Sequence, residues 1–281
     1  MNKKPLVTVY IPTYNRLELL KRAVKSVVEQ DYTNIELIIV DDGSNDGTIE
    51  YLESLEISDR RVRFIVNEVN SGACVSRNKA ILAAKGDFVT GLDDDDEFLN
   101  NRVSKLLASY SDQYSLVYAD DILIKDKNIK KISKPKFASI EQLKFGNCIG
   151  NQILTKRERV IEAGLFDEDL SAAQDYDMWF RIVEKYGPAI NASCCLQKIF
   201  LDGEDRITKL KHKKRGYFRF YNKHKFKMTN AQRKYFLLNT KYVFQEKISL
   251  KFFLYLFTVI NIKRQLGIFI RRVIMTGSYI S

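Results

Sequence analysis

The chain is poor in residues that staple a fold or ligate a soft metal. Four cysteines in 281 residues, Cys74, Cys148, Cys194 and Cys195, show no CxxC spacing and no neighbouring histidine. Adjacent cysteines such as Cys194 and Cys195 rarely bridge each other, so buried free thiols in a reducing compartment are the expectation. Both histidines, His212 and His224, sit among lysines and read as solvated surface. No GxGxxG and no GxxxxGK[ST] occurs, which removes the glycine-turn dinucleotide site and the Walker loop. No apolar run reaches the roughly 20 residues that span a bilayer. The first, Leu6 to Ile11, stops at Pro12 and is too short for a signal peptide, so a cytoplasmic protein is expected.

Negative charge is scarce in one place only. From Asp205 to Arg272 there are 19 Lys plus Arg against two acids, Asp205 and Glu246. The whole chain carries +11, so about −6 falls on the rest: an acidic body with a strongly basic tail. Hydrophobic residues at 45% support a sizeable core, and the length suits one substantial domain plus an appendage. We divide the chain into a domain over 1–205 and a basic, aromatic, helical extension over 206–281.

What the body does have is an acidic run. Asp93-Asp94-Asp95-Asp96 follows the apolar stretch Phe88 to Leu92, which reads as a buried strand. Four like charges in sequence repel. A hard divalent cation with oxygen ligands would relieve that repulsion, and a solvated acidic turn is the bland alternative.

Strand and helix patterns alternate before and after this run. Leu6 to Ile11, Ile35 to Val40, Arg63 to Val66 and Leu116 to Ile124 are β-branched and apolar. Helical spacing appears at Leu19, Leu20, Ala23, Val24 and Val27, then from about Ala73 to Ala84, from Arg157 to Ala163, and at Tyr176, Trp179, Phe180 and Val183. The segment Lys125 to Lys136 reads as an exposed hairpin, and Phe145 to Gln152 as a polar loop. This alternation predicts an α/β fold with a mostly parallel sheet flanked by helices. Ligands of such sheets sit beyond the carboxyl ends of the strands, where Pro12-Thr13-Tyr14, Asp41-Asp42-Gly43, Asn67 to Asn70 and the four acids converge.

Taken together, these pieces resemble the family 2 glycosyltransferases of the GT-A fold over residues 6 to about 185. The likeness is carried by Val9-Tyr10-Ile11-Pro12-Thr13-Tyr14-Asn15-Arg16, by Asp41-Asp42-Gly43-Ser44, and by Asn70-Ser71-Gly72 before Ala73 to Asn78. The acidic run and Gly164-Leu165-Phe166-Asp167 with Gln174-Asp175-Tyr176-Asp177-Met178-Trp179 complete it. The resemblance implies an inverting transfer from a UDP-sugar assisted by Mn²⁺ or Mg²⁺. It assigns Asp93 and Asp95 to the metal, while Asp94 and Asp96 would orient water, ribose or sugar hydroxyls. It puts Pro12, Thr13, Tyr14, Asp42 and Arg77 around the nucleotide, with Asp42 on the uracil ring. Asp175 would be the general base and Asp177 the fallback. His212 is a further position to watch, because a late histidine completes the metal site in some enzymes of this fold. One departure stands out: the family usually has Glu-Asp where this chain has Gln174-Asp175.

The basic tail fits an anionic membrane surface better than nucleic acid, for which no motif is present. Leu250 to Ile262 is nearly all apolar and is followed by Lys263-Arg264 and Arg271-Arg272. The expectation is a cytoplasmic protein, peripheral on the inner face of the cell membrane, and the resemblance to bacterial enzymes of this family implies a lipid-linked saccharide acceptor in O-antigen or capsule synthesis. The alternatives are a transferase acting on a protein or soluble glycan, and a non-catalytic nucleotide-sugar or nucleic-acid binding protein.

Overall fold

The computed structural model describes residues 4–201, 210–244, 246–258 and 262–270, without the side chains of 210–212 and 264. In chain order the elements are β1 (Val7–Thr13), α1 (Leu17–Val28), β2 (Ile35–Asp41), α2 (Thr48–Ser58), β3 (Val62–Val66), α3 (Ala73–Ala83), β4 (Phe88–Gly91) and β5 (Glu97–Phe98). There follow α4 (Arg102–Ser109), β6 (Val117–Lys125), β7 (Asn128–Ile132), β8 (Phe137–Ala138), α5 (Ile140–Leu143), β9 (Leu154–Lys156), α6 (Arg157–Glu162), α7 (Gln174–Tyr186) and β10 (Ala189–Phe200). The last helices are α8 (Leu210–His224), α9 (Asn230–Val243), α10 (Leu250–Leu256) and α11 (Ile262–Phe269).

The strands form one mixed sheet in the order β3-β2-β1-β4-β9-β6-β10-β5, with β7 beside β6 and β8 beside β10. The half made of β3, β2, β1 and β4 is parallel, and β9 is antiparallel to its neighbours β4 and β6. Every residue of β1 except the half-buried Pro12 is buried, so both faces of the strand are covered, which accounts for its mostly apolar run of Val7, Val9, Tyr10 and Ile11. Val7, Val9 and Ile11 join Leu20, Ala23, Val24 and Val27 of α1 in the main core. Leu19, expected on that buried face, is exposed.

β4 carries the acidic run to the sheet edge. Its last residue, Gly91, has no room for a side chain: a Cβ there would meet the Gln152 amide oxygen and lie 2.6 Å from the Tyr10 ring. The predicted hairpin at Lys125 to Lys136 forms between β6 and β7, with one exception to its exposure. Lys134 is half-buried, its side chain only 9% accessible, and pairs with Asp121 at 2.7 Å.

Two compact units are distinguished. The first, residues 1–140, 148–169 and 174–206, contains the sheet. The second gathers Glu141–Asn147, Leu170–Ala173 and Ile207–Ser281. Within it, Thr229 caps α9 reciprocally with Gln232, and Phe220 stacks on Phe236 with ring centres 5.8 Å apart. His224 is buried against Phe220 rather than solvated, which corrects the reading from its lysine neighbours. The side chain of His212 lies outside the described residues. The apolar stretch from Leu250 makes two short helices rather than one. Phe253 and Leu256 of α10 and Ile268 of α11 share a small core with Leu238 of α9. Among the described residues no helix is long and apolar enough to cross a membrane. Cys74 is buried and the other three thiols are half-buried, all of them free.

The crowding at Gly91 gives a stability prediction. Gly91→Ala forces Tyr10 and Gln152 apart and is expected to cost about 1–3 kcal/mol, as overpacking does. Urea unfolding checks it: the midpoint should fall with the slope unchanged.

Candidate active site

The acidic turn leaves β4 through Leu92, whose N–H donates to the Tyr10 carbonyl, and closes with Asp96 N–H on the Asp93 carbonyl at 3.1 Å. Its four carboxylates go different ways. Asp96 is fully buried and accepts from the Phe200 N–H (3.2 Å) and the amides of Gln197 (3.3 Å) and Asn151 (3.4 Å). It therefore ties the turn to β10 and is not available to orient a ribose or a water, contrary to the expectation. Asp94, also buried, accepts from the Thr13 hydroxyl at 2.9 Å and pairs with Arg16 Nη1 at 3.1 Å. Burial pushes its carboxyl up to about 6, against the pull of Arg16.

Asp93 and Asp95 keep the more exposed positions, with side chains 26% and 13% accessible. Asp93 accepts from Arg77 Nη2 at 2.9 Å and Asn151 Nδ2 at 3.1 Å, and Asp95 faces Arg16 Nη1 at 3.4 Å. Their hard carboxylate oxygens suit Mg²⁺ or Mn²⁺. Among the described residues no three His, Cys, Asp or Glu side chains converge. Asp93 and Asp95 are the two residues of the turn that could hold such a cation.

Arg77 sits on α3, and its guanidinium is buried between acids. Burial works against its charge, and Asp93 and Asp175 more than offset that, holding it firmly protonated. Its Nη1 is buried and, among the described residues, has no hydrogen-bond partner. Asp42 sets where α3 begins: its oxygens accept from Asn67 Nδ2 (2.6 Å), Ser71 N–H (2.9 Å) and Gly72 N–H (2.7 Å). Gly72 takes φ +90°, a left-handed conformation that suits glycine. Beside this corner Thr13 is buried, Pro12 half-buried, and Tyr14 is 45% exposed.

Asp175 is the second residue of α7 and half-buried. Among the described residues no hydrogen bond or ion pair holds its carboxylate. Burial pushes it up to about 7; Arg77 pulls it down and Asp93 pushes it further up. Asp177 differs. It is fully buried and accepts from Arg181 Nε at 2.8 Å, so it is a structural ion pair and not a fallback base. Arg181 also donates to the carbonyls of Ala163 and Leu165 (2.6 Å to the latter), clamping α7 to the turn at Gly164.

The structure thus brings Asp93, Arg77 and Asp175 into one electrostatic cluster and gathers Thr13, Asp94 and Asp95 beside it. Four members were not singled out from sequence as site residues: Arg16, Tyr10, Asn151 and Asp96 in its holding role. Tyr10 is buried at this cluster, and its phenol is raised by burial, lowered by Arg77 and raised again by Asp175 and Asp93. Asn151 lies in the polar loop after Phe145, and Trp179 of α7 donates to the adjacent Gly150 carbonyl at 3.0 Å. Arg16 and Tyr10 share the opening motif and Asp96 belongs to the acidic run, whereas Asn151 carries no signal beyond its polar loop.

The family described as glycosyl transferase family 2 matches residues 8–167. A putative colanic acid biosynthesis glycosyl transferase, WcaA of Escherichia coli (strain K12), is 39% identical over 274 residues, covering 94% of this chain and 97% of that protein. The GalNAc(5)-diNAcBac-PP-undecaprenol beta-1,3-glucosyltransferase of Campylobacter jejuni is 27% identical over 211 residues, 73% of this chain and 67% of that protein. Among solved structures, a mannosyltransferase from Pyrobaculum calidifontis in complex with GDP-Man and Mn²⁺ superposes with a TM-score of 0.65 at 16% identity. It covers 100% of this chain and 77% of that one, which carries the GT-A fold and nothing finer.

The position of Asp175 has a measurable cost. Its folded pKa lies above the unfolded 3.8, so stability is intact below about that value and is lost as pH rises through about 7. Asp175→Asn removes the loss. The variant should be more stable than the parent by about 1–3 kcal/mol near pH 8, less than the full shift because the group is partly solvated. The two should converge toward pH 4 in chemical denaturation.

Proposed function

The chain belongs to glycosyl transferase family 2, and we propose that it moves a hexose from a UDP-sugar to a hydroxyl of a lipid-diphosphate-linked saccharide, with inversion, in the synthesis of a cell-surface polysaccharide. The observation that carries this reading is Asp175: a carboxylate with a pKa near 7 and, among the described residues, no hydrogen bond or ion pair, beside a buried arginine and the acidic turn. A group that only binds nucleotide has no use for such a base. A general base works best with its pKa near the working pH.

In this mechanism the acceptor hydroxyl gives its proton to Asp175 as its oxygen attacks the anomeric carbon. The bond from that carbon to the diphosphate oxygen breaks on the opposite face, and its electron pair leaves with the diphosphate. An α-linked donor yields a β-linked product, without a covalent intermediate. Arg77, whose Nη1 is uncommitted, holds positive charge against the departing diphosphate. A bound Mn²⁺ or Mg²⁺, held by Asp93 and Asp95, would supply further neutralisation of that charge. Pro12, Thr13 and Tyr14 line the base, and Asp42 both shapes the α3 corner and faces the uracil. The names of the two relatives support a polysaccharide role and a polyprenyl-diphosphate acceptor, and the fold neighbour's Mn²⁺ supports the metal. The uridine assignment rests on the family resemblance.

We read residues 1–205 as the catalytic domain and 206–281 as an extension that meets the anionic inner face of the cell membrane. α10 turns Leu250 and Leu254 outward with Lys251 and Tyr255 beside them, and α11 turns out Ile262 and Leu266 with Lys263 beside them. Apolar stripes edged by lysine suit a helix lying in an interface.

Three outcomes are expected. Thermal unfolding with UDP or GDP, with and without Mn²⁺, should show a metal-dependent rise of the midpoint for UDP. Asp175→Asn should keep that rise while turnover falls about 10²–10⁴-fold. A variant that transfers sugar at the parental rate would remove Asp175 from the mechanism. On vesicles, the double change Leu254→Glu and Leu266→Glu should weaken binding to phosphatidylglycerol bilayers about tenfold or more. Equal binding by parent and variant would rule that face out.

A further inference from the structure

The acidic turn already holds a cation of its own. Arg16 Nη1 lies 3.1 Å from Asp94 Oδ1 and 3.4 Å from Asp95 Oδ2. Among the described residues Asp94 and Asp95 are the only side-chain partners of Arg16. Its backbone is fixed. Asn15, at φ +51°, donates its N–H to Ser44 Oγ (2.8 Å), and its amide oxygen accepts from the Asn45 N–H (2.8 Å). The Arg16 carbonyl accepts from the Leu20 N–H at 2.9 Å, the first turn of α1. The side chain, 26% exposed, is the part with room to move.

The two contacts are unequal. Asp94 is buried and needs its counter-charge, with the Thr13 hydroxyl as its other donor. Asp95 is the more exposed of the two, and its contact with Arg16 is near the limit of hydrogen-bond distance.

We propose that Arg16 is a resident counter-cation that couples cation binding to nucleotide binding; the proposal rests on the metal-and-nucleotide reading above. In the ligand-free protein Arg16 neutralises Asp94 and Asp95 together. A bare divalent ion reaching Asp95 meets a guanidinium within 3.4 Å of its ligand oxygen and is repelled. When the ion comes with a diphosphate, Arg16 has a new partner. It releases Asp95, keeps Asp94 through Nη1, and turns its remaining N–H groups to phosphate oxygens. The planar fork of arginine suits this exchange between carboxylate and phosphate, which the point charge of lysine does not. Arg16 is thus a positioning residue for the cation, and the protein binds cation and nucleotide together far better than either alone.

Mn²⁺ titrations followed by electron paramagnetic resonance of the free ion, with and without UDP, test this without any turnover. The parent should bind Mn²⁺ weakly alone and much more tightly with UDP. Arg16→Gln should bind Mn²⁺ alone about tenfold tighter, and UDP in the presence of Mn²⁺ about tenfold weaker, as loss of a nearby unit charge requires. The factor by which each ligand strengthens the other should shrink accordingly, and linkage requires that factor to be equal from both sides. Arg16→Lys keeps the charge but not the fork. It should bind Mn²⁺ alone as weakly as the parent and still lose part of the coupling, a result that stands even if the glutamine variant fails to fold. Mn²⁺ affinity in Arg16→Gln equal to or below the parent's, or full coupling in Arg16→Lys, would overturn the proposal. Absence of Mn²⁺ binding by the parent even with UDP would instead sink the metal-and-nucleotide reading, and this inference with it.

Discussion

Four carboxylates on four consecutive residues cannot share a turn unless each is given something positive or a hydrogen to accept. That constraint organises the sheet edge. Asp96 takes the Phe200 N–H and the Gln197 amide of β10, and Asp94 takes Thr13 of β1 and Arg16 before α1. With these two turned inward, Asp93 and Asp95 are left toward solvent. The spacing of the two outward acids is thus a product of how the inward pair is satisfied. It also makes the site a non-local construction, because the partners of one short turn come from residues near both ends of the first unit.

The second organising fact is the sharing of one guanidinium by two acids. Arg77 is paired with Asp93 and lowers the pKa of Asp175 without any hydrogen bond to it. Burial wins, and Asp175 stays poised near neutrality. A direct ion pair would have made it a spectator, as Asp177 is in the grip of Arg181. The difference between the two aspartates, two residues apart on one helix, is entirely one of what each side chain touches.

Much of this was legible in sequence, and for reasons that can be named. β1, β2 and β4 are buried on both faces, so they read as mostly apolar runs broken only by Thr8, Glu36 and Thr90, and the polar residues that end them fall on the same edge. Asp175 was legible from its motif. Its freedom from partners was not, since that depends on Arg77 being taken by Asp93. Asn151 and the inward turn of Asp96 escaped because their partners lie 55 to 104 residues away. His224 was misjudged from its lysine neighbours: those share its sequence position but not its face of α8, where Phe220 stands one turn away. The apolar stretch after Leu250 gave no sign of its break, because each short helix buries only one stripe. At Lys134 the composition of the hairpin said exposed, and a single buried acid, Asp121, decided otherwise.

The clamp of Arg181 has a consequence for how such a chain diversifies. It fixes the helix that bears Asp175 to the carbonyls on either side of Gly164, while Asp177 of the same helix holds the guanidinium in place. The carboxylate of Asp175 therefore has its address set by contacts within the protein. On the proposed reading, lineages could exchange the surfaces that meet the acceptor, and so the glycan they extend, while inheriting the placement of the proton-accepting group unchanged.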